Sequence, residues 1–261
     1  MNSSTYINLL YEIIEKHVVR VTINRPDLLN AVDLPTMVEL KNLLTEIAED
    51  RELRVLIITG AGDRSFVVGA DRQEIRLHAE DEERAKAFED VSRVTFNLIE
   101  DIGKPSICAV NGFTFGLGVQ MAIACTFRIA SANARFGLPE INMGFFPSMG
   151  ATQRLTRLIG TSRATEMILT GEPVDAAEAH RIGLVNRIVP LPELRSFVHG
   201  FAMNLAEKSP VAIRLASKAI RHGGEMPLSE ALKYEANLSS ECLKSEDSRE
   251  GRRAFTEKLK R

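Results

Sequence analysis

The sequence contains no tryptophan and few of the residues that build covalent staples or metal centres, with three cysteines and five histidines in 261 residues. Cys108, Cys125 and Cys242 lie far apart without metal-type spacing. Cys108 and Cys125 sit in apolar runs, so they read as buried thiols of a reducing compartment and not as a disulfide framework. His17, His78, His180, His199 and His222 form no H-x-x-x-H or similar ligand pattern, and no metal is expected. An excess of one charge is missing too: 33 Lys and Arg face 35 Asp and Glu, a net charge of −2, which argues against a nucleic-acid partner. The basic residues that do gather, Arg249, Arg252, Arg253, Lys258, Lys260 and Arg261, are interleaved with acids and read as a solvated helix face.

Targeting and membrane signals are also absent. Met1-Asn2-Ser3-Ser4 lacks the charged and apolar regions of a signal peptide. The long uncharged stretch, residues 105–127, begins at Pro105, carries Asn111 and Gln120, and is broken by Gly112, Gly116 and Gly118. A spanning helix needs about 20 unbroken apolar residues, so a buried strand, a turn and a buried helix fit better. The expectation is a soluble, cytoplasmic protein with no membrane partner.

The composition, 44% hydrophobic and 26% charged, is that of an ordinary globular chain large enough to bury its own core. Residues 9–14 and 18–24 are rich in strand formers around Glu15-Lys16-His17 and predict a hairpin. Asp33 with Pro35 signals a helix that keeps apolar spacing to about Asp50. Asp71-Arg72-Gln73-Glu74 has the form of a capping box, and residues 81–101 predict a polar helix carrying Phe88, Val91, Thr95, Leu98 and Ile102 on one face. Short strands are expected at residues 127–130, 135–136 and 184–189. Ser209-Pro210 opens a helix, and residues 228–260 read as helices broken near Ser245. The sum is an α/β core over residues 1–195, followed by a helical region over residues 196–261.

Two glycine-bearing turns carry the chemistry. Gly69-Ala70-Asp71 follows the apolar run 53–59, and the segment from Gly112 to Gly118 follows the run 106–110; each opens into a helical pattern. A strand that turns sharply into a helix leaves unpaired N–H groups at the helix start, backed by the positive end of the helix dipole. Two such ends aimed at one point suit a developing oxyanion, as a thioester enolate requires.

Several motifs in order make the chain resemble the crotonase superfamily, the enoyl-CoA hydratase/isomerase family. Asn24-Arg25-Pro26-Asp27-Leu28-Leu29-Asn30-Ala31 resembles the family's N-R-P-x-x-x-N-A turn, and Phe66-Val67-Val68-Gly69-Ala70-Asp71 its F-x-x-G-A-D segment. Ala109-Val110-Asn111-Gly112 with the following glycines, Leu138-Pro139-Glu140, Thr152-Gln153-Arg154-Leu155 and Gly183-Leu184-Val185 continue the match along nearly the whole length. The resemblance implies a crotonase-type ββα spiral core with a helical C-terminal trimerisation region, assembled as a homotrimer or as a hexamer made of two trimers. It implies an acyl-CoA substrate and no cofactor beyond the coenzyme A of that substrate. It places oxyanion donors on the backbone of Ala70 and Leu117, and the coenzyme A beside Asp27, Leu28, Leu29, Val68, Asp71 and Arg72, with Phe255 and Lys258 reaching it from the last helix.

One departure from the family pattern bears on the reaction. Hydratases of the family carry two glutamates facing the α,β-carbons; one is retained as Glu140, and the other position holds Gln120. A glutamine orients water but cannot accept its proton, so acid–base work falls on Glu140. Hydration of a 2-enoyl-CoA with Glu140 handling both proton transfers is the first reading. Moving a proton from C2 to C4, as in a Δ3,Δ2-enoyl-CoA isomerase, needs only one base, and other enolate chemistry such as decarboxylation or hydrolysis fits as well. A catalytically silent acyl-CoA-binding protein is a remote alternative. Ser148-Met149-Gly150 supplies only half of a nucleophile elbow, with Phe146 where glycine is required. Leu117 stands where many relatives have glycine, a change that leaves the backbone N–H available.

Overall fold

The computed structural model describes residues 6–258. The expected hairpin forms from β1 (Leu9–Glu15) and β2 (Val18–Ile23), paired antiparallel across a turn in which His17 takes φ 80°. Helix α1 (Leu34–Glu49) starts where Asp33 predicts, its carboxylate accepting the Thr36 N–H at 2.9 Å.

From there the chain repeats one move: a buried strand, a short strand in a second sheet, then helix. β3 (Val55–Gly60), β4 (Ser65–Val67) and α2 (Arg72–Glu80) make the first unit, with α3 (Glu82–Asp101) returning the chain. β5 (Ser106–Val110), β6 (Phe113–Phe115) and α4 (Leu117–Ala124) make the second; β7 (Phe127–Ser131), β8 (Arg135–Gly137), a 3₁₀ turn at Pro139–Met143 and α5 (Ala151–Ile159) make the third. The sequence predicts a direct strand-to-helix turn at each glycine segment, whereas the structure interposes β4 and β6. Strands of three residues are too short to show alternation.

α6 (Thr161–Thr170), β9 (Val174–Asp175), α7 (Ala176–Arg181) and β10 (Arg187–Val189) complete two sheets. The first has six strands in the order β1-β2-β3-β5-β7-β10, parallel from β2 onward; the second has four, β4-β6-β8-β9, with only β9 antiparallel. Parallel strands covered on both faces explain the unbroken apolar runs of β3 and β5. The strand itself covers only residues 187–189 of the expected 184–189. The amides of Leu184 and Val185 instead bond Ala179 O as the chain reverses after α7.

The main core packs α1, α3 and α4 between the sheets around Phe66, Phe96 and Phe136. The buried stripe of α3 is Phe88, Ser92, Thr95, Phe96 and Ile99, rotated from the predicted one, with Val91 and Leu98 at its edge. A second, smaller cluster lies on the other face of the large sheet, under α8 (Leu191–Ala206), through Leu194, Val198, Ala202 and Ala206. The expected boundary at 195/196 therefore falls inside a helix that packs on the sheet, and the separate helical region starts beyond Ala206. It contains α9 (Pro210–Gly223), α10 (Leu228–Lys244) and α11 (Glu246–Lys258); Ser209 caps α9, and Ser245 separates the last two as expected. Arg249, Arg252 and Arg253 are exposed on α11. Met1-Asn2-Ser3-Ser4, the Lys258 side chain, Lys260 and Arg261 lie outside the described residues. Among the described residues no helix is long and apolar enough to cross a membrane.

The capping box is only half realised. Asp71 accepts the Gln73 N–H at 2.8 Å, but Glu74, 1% exposed, turns away from the helix start. Its carboxylate receives two bonds from Arg84 (2.9 and 2.8 Å), one from the Leu34 N–H (3.0 Å), and lies 3.0 Å from the His78 ring. Burial opposes the ionised form, yet the Arg84 and Leu34 bonds outweigh it and hold the carboxyl below the ordinary glutamate range. A depressed folded pKa gives stability that is present above the unfolded value and lost as pH falls through the folded one. Glu74→Gln should therefore lower the melting temperature at neutral pH, and the gap to wild type should narrow as pH drops below the normal glutamate range, read by thermal melts across pH.

Candidate active site

The N-R-P-x-x-x-N-A segment folds as a tight corner. Pro26–Leu28 makes a 3₁₀ turn, and Leu29 and Asn30 follow at φ 53° and 59°. Asparagine tolerates that left-handed conformation better than most residues, and the buried Asn30 amide spans the corner, accepting the Arg25 N–H and donating to Ala61 O and Ser65 O. The Arg25 guanidinium then ties three pieces together, reaching Ala31 O at 2.7 Å, Asp71 at 2.8 Å and Asp33 at 3.0 Å.

Beside it lies the first glycine corner. Val32 N–H bonds Gly69 O and Asp71 N–H bonds Val32 O, a parallel bridge centred on Ala70. Such a bridge uses the groups flanking Ala70, so the Ala70 amide is turned the other way and has no backbone acceptor among the described residues. Gly69 takes φ 103°, which only glycine adopts without strain.

The second corner is at Gly116, with φ 52° and ψ −115°, its N–H bonded to Gly137 O at 2.9 Å. Helix α4 starts at the next residue, and the first intrahelical donor is Gln120 N–H to Gly116 O at 3.1 Å, so the Leu117 amide is unspent. Gly118 seats this helix start on β4: a Cβ there would lie 2.0 Å from Val67 O. A Cβ on Gly116 would lie 3.1 Å from Glu140 Oε1 and 3.7 Å from Gly69 Cα. Both corners and the Glu140 carboxyl thus meet at one place. The Leu117 side chain packs into the main core.

Glu140, 6% exposed, sits in the 3₁₀ turn after Pro139. Its Oε1 accepts Gln120 Nε2 at 3.2 Å, and its Oε2 is buried without a partner. Burial pushes the carboxyl above the ordinary glutamate range; its own backbone amide and the Gln120 amide pull partly back. Gln120, 2% exposed, is fixed at its other end, where Oε1 accepts the Met149 N–H at 2.9 Å. Of the phenylalanines on either side of this turn, Phe136 is buried, whereas Phe145 and Phe146 are exposed.

The expected coenzyme A contacts divide. Asp27, Leu28 and Leu29 lie on the corner tied by Arg25, and Val68, Asp71 and Arg72 border the Ala70 corner, so those six share one edge of the site. The Asp71 carboxylate is already engaged by Gln73 N–H and Arg25, which leaves its backbone for other contacts. Phe255 is exposed on α11, which packs on α9 and α10.

Comparison with known proteins gives the family. The family model described as enoyl-CoA hydratase/isomerase matches residues 13–261. The chain belongs to that family. Among relatives of this family, a short-chain-enoyl-CoA hydratase of Clostridium acetobutylicum is 42% identical over 94% of each chain. A crotonyl-CoA hydratase of Syntrophomonas wolfei is 40% identical over 98% of this chain and 97% of its own. The crystal structure of an enoyl-CoA hydratase from Bacillus anthracis superposes with a TM-score of 0.93 at 38% identity, covering 97% of both chains. The fold is that of the crotonases.

The residues that hold the family's site in shape were the ones sequence reasoning passed over. Arg25, Asn30 and Arg154 are visible in the sequence only as parts of motifs, and Glu100, which binds Arg154, lies 54 residues before it. A cleft of about 650 Å³ lies on the other face of the large sheet, between Arg20, Thr22, Arg195 and His199, and contains none of the expected site residues. Among the described residues no group of three or more His, Cys, Asp or Glu converges as a metal site would.

Proposed function

We propose that this protein is an enoyl-CoA hydratase that adds water across the double bond of a 2-enoyl-CoA. The observation that carries the reading is the unpartnered, buried Glu140 Oε2 placed beside two glycine corners with unspent amides. The thioester oxygen takes the Ala70 and Leu117 N–H groups. Glu140 as carboxylate takes a proton from water as its oxygen bonds to Cβ, and the double-bond electrons move through Cα to the thioester oxygen. The same carboxyl then returns the proton to Cα as the enolate collapses. Gln120 serves by orientation: one amide N–H is held on Glu140 and the other is free for the water. Asp27, Leu28, Leu29, Val68, Asp71 and Arg72 border the coenzyme A through backbone and side chain, and Phe255 and Lys258 contact it from a neighbouring copy in a trimer or hexamer. No cofactor beyond coenzyme A is required by this scheme. The buried thiols of Cys108 and Cys125 support a cytoplasmic setting.

The locked Gln120 amide favours a second reading, a Δ3,Δ2-enoyl-CoA isomerase, because proton transfer from C2 to C4 uses one base and no water. Crotonyl-CoA and a 3-enoyl-CoA offered in parallel separate the two. The hydratase reading expects the wild type to consume crotonyl-CoA and Gln120→Glu to do so about tenfold faster, a second carboxylate being added. Turnover of the 3-enoyl-CoA alone would reverse the order of the readings.

A further inference from the structure

The Gln120 amide does not hold itself in place. Its Oε1 is fixed by the Met149 N–H, and Met149 O in turn accepts Arg154 Nη1 at 3.2 Å. Arg154 is anchored on α3, with Nε 2.8 Å from Glu100 Oε2, Nη2 2.7 Å from the same oxygen, and Nη2 2.6 Å from Asn97 Oδ1. The far side of Glu100 is held by α9, where Arg221 Nη1 donates to Glu100 O at 2.8 Å. Between Met149 and α5, Gly150 takes φ 99°, and a Cβ on it would lie 2.0 Å from Arg154 Nη1. The backbone conformation at this position favours glycine, and a side chain there would push the guanidinium out of its place.

We propose that Arg154, clamped by Glu100 and admitted by Gly150, is a positioning residue that sets the orientation of the Gln120 amide, and through it the state of the Glu140 carboxyl. The links run in a fixed order: a two-pronged contact from Arg154 to Glu100, then single hydrogen bonds from Arg154 to Met149, Met149 to Gln120 and Gln120 to Glu140. A planar guanidinium with both edges engaged has little freedom, so the Met149 peptide it grips is held as well. A free peptide would let the Gln120 amide turn over and withdraw its N–H from Glu140. The inference deepens the reading of Glu140 as the acid–base group and rests on it, but its test does not need turnover.

The groups acting on the Glu140 carboxyl are burial, its own backbone amide and Gln120, and no charged side chain among the described residues shifts it. Donation by Gln120 favours the ionised form, so its loss moves the titration to higher pH. The measurement is an infrared pH titration of the full-length protein, with the Glu140 band assigned by Glu140→Gln. Gln120→Ala, Arg154→Ala and Gly150→Ala should each move the midpoint upward, and Arg154→Ala combined with Gln120→Ala should move it no further than Gln120→Ala alone. Glu100→Gln, which keeps the side chain's size, should move it in the same sense and serves if Arg154→Ala does not fold. On a turned-over acyl-CoA, Arg154→Ala and Gly150→Ala should lose kcat roughly ten- to a hundredfold with KM nearly unchanged. A midpoint left in place by both Arg154→Ala and Glu100→Gln, or shifts that add in the double variant, would overturn the inference. So would an unmoved midpoint in Gln120→Ala. A wild type inert toward every enoyl-CoA, with the titration shifts as expected, would instead remove the hydratase reading and leave this one standing.

Discussion

Glu140→Gln is expected to abolish turnover almost completely while making the protein more stable. In the proposed scheme a single carboxyl serves both proton transfers, so its loss should cost about 10⁴-fold in kcat, the upper end for general acid–base catalysis. The pH profile gives an independent check. Burial raises the carboxyl's pKa, and the ionised form starts the reaction, so kcat/KM should fall as pH drops through a value above the ordinary glutamate range. That limb should be missing from the residual activity of Glu140→Gln. Linkage runs the other way for stability. A raised folded pKa gives stability that is fully present below the unfolded value and is lost as pH rises through the folded one. Above that folded value the wild type carries an ionised carboxylate with one buried, unpartnered oxygen, and the neutral amide relieves it. Melts taken across pH should show Glu140→Gln level with wild type in acid and increasingly above it as pH rises past that value. A variant that is inactive yet gains no stability over wild type as pH rises would contradict the buried-carboxylate description.

The second large effect is expected from a single methyl group. Gly118→Ala puts a Cβ 2.0 Å from Val67 O and 3.2 Å from Val67 Cβ, a collision with backbone that no side-chain rotation relieves. Helix α4 has to lift off β4, and the Leu117 N–H moves with it. Losing one oxyanion donor lowers kcat by about 10²–10³, and the overpacked helix start costs about 1–3 kcal/mol of stability. Gly251→Ala is the control. That glycine lies in α11 with open space around the added carbon, and it should leave both quantities unchanged or slightly improve the melt. Steady-state kinetics and denaturant melts on the two variants decide the matter. Gly118→Ala with unimpaired kcat would remove Leu117 from the role assigned to it.

Much of this was legible in the residues alone, for identifiable reasons. The hairpin, α1, α9 and the break at Ser245 were marked by local signals, namely a strand-turn-strand pattern and capping side chains, which act within a few residues. Glu140 and Gln120 stood out because a family pattern placed them, and the structure brings them to within 3.2 Å. What stayed hidden depends on tertiary placement. β4, β6 and β9 are too short for a period to appear. Glu74 looked like a capping residue because its spacing fits that role, and only the approach of Arg84 across ten residues diverts it. Arg154 gave no sign of its partners, since Glu100, Asn97 and Met149 reach it from a helix and a turn that the sequence does not show to be neighbours. The expected boundary at 195/196 lies within α8, which resembles the helices after it in composition while its burial face belongs to the sheet.

β4 and β6 are adjacent parallel strands, and the Ala70 and Leu117 amides follow them by a few residues each. Neighbouring strands stand about 4.8 Å apart wherever they pair, so the ladder holds the two corners that follow β4 and β6 side by side. Side chains at the corners can then drift, as leucine for glycine at 117 illustrates, while the backbone that carries them stays anchored on the sheet.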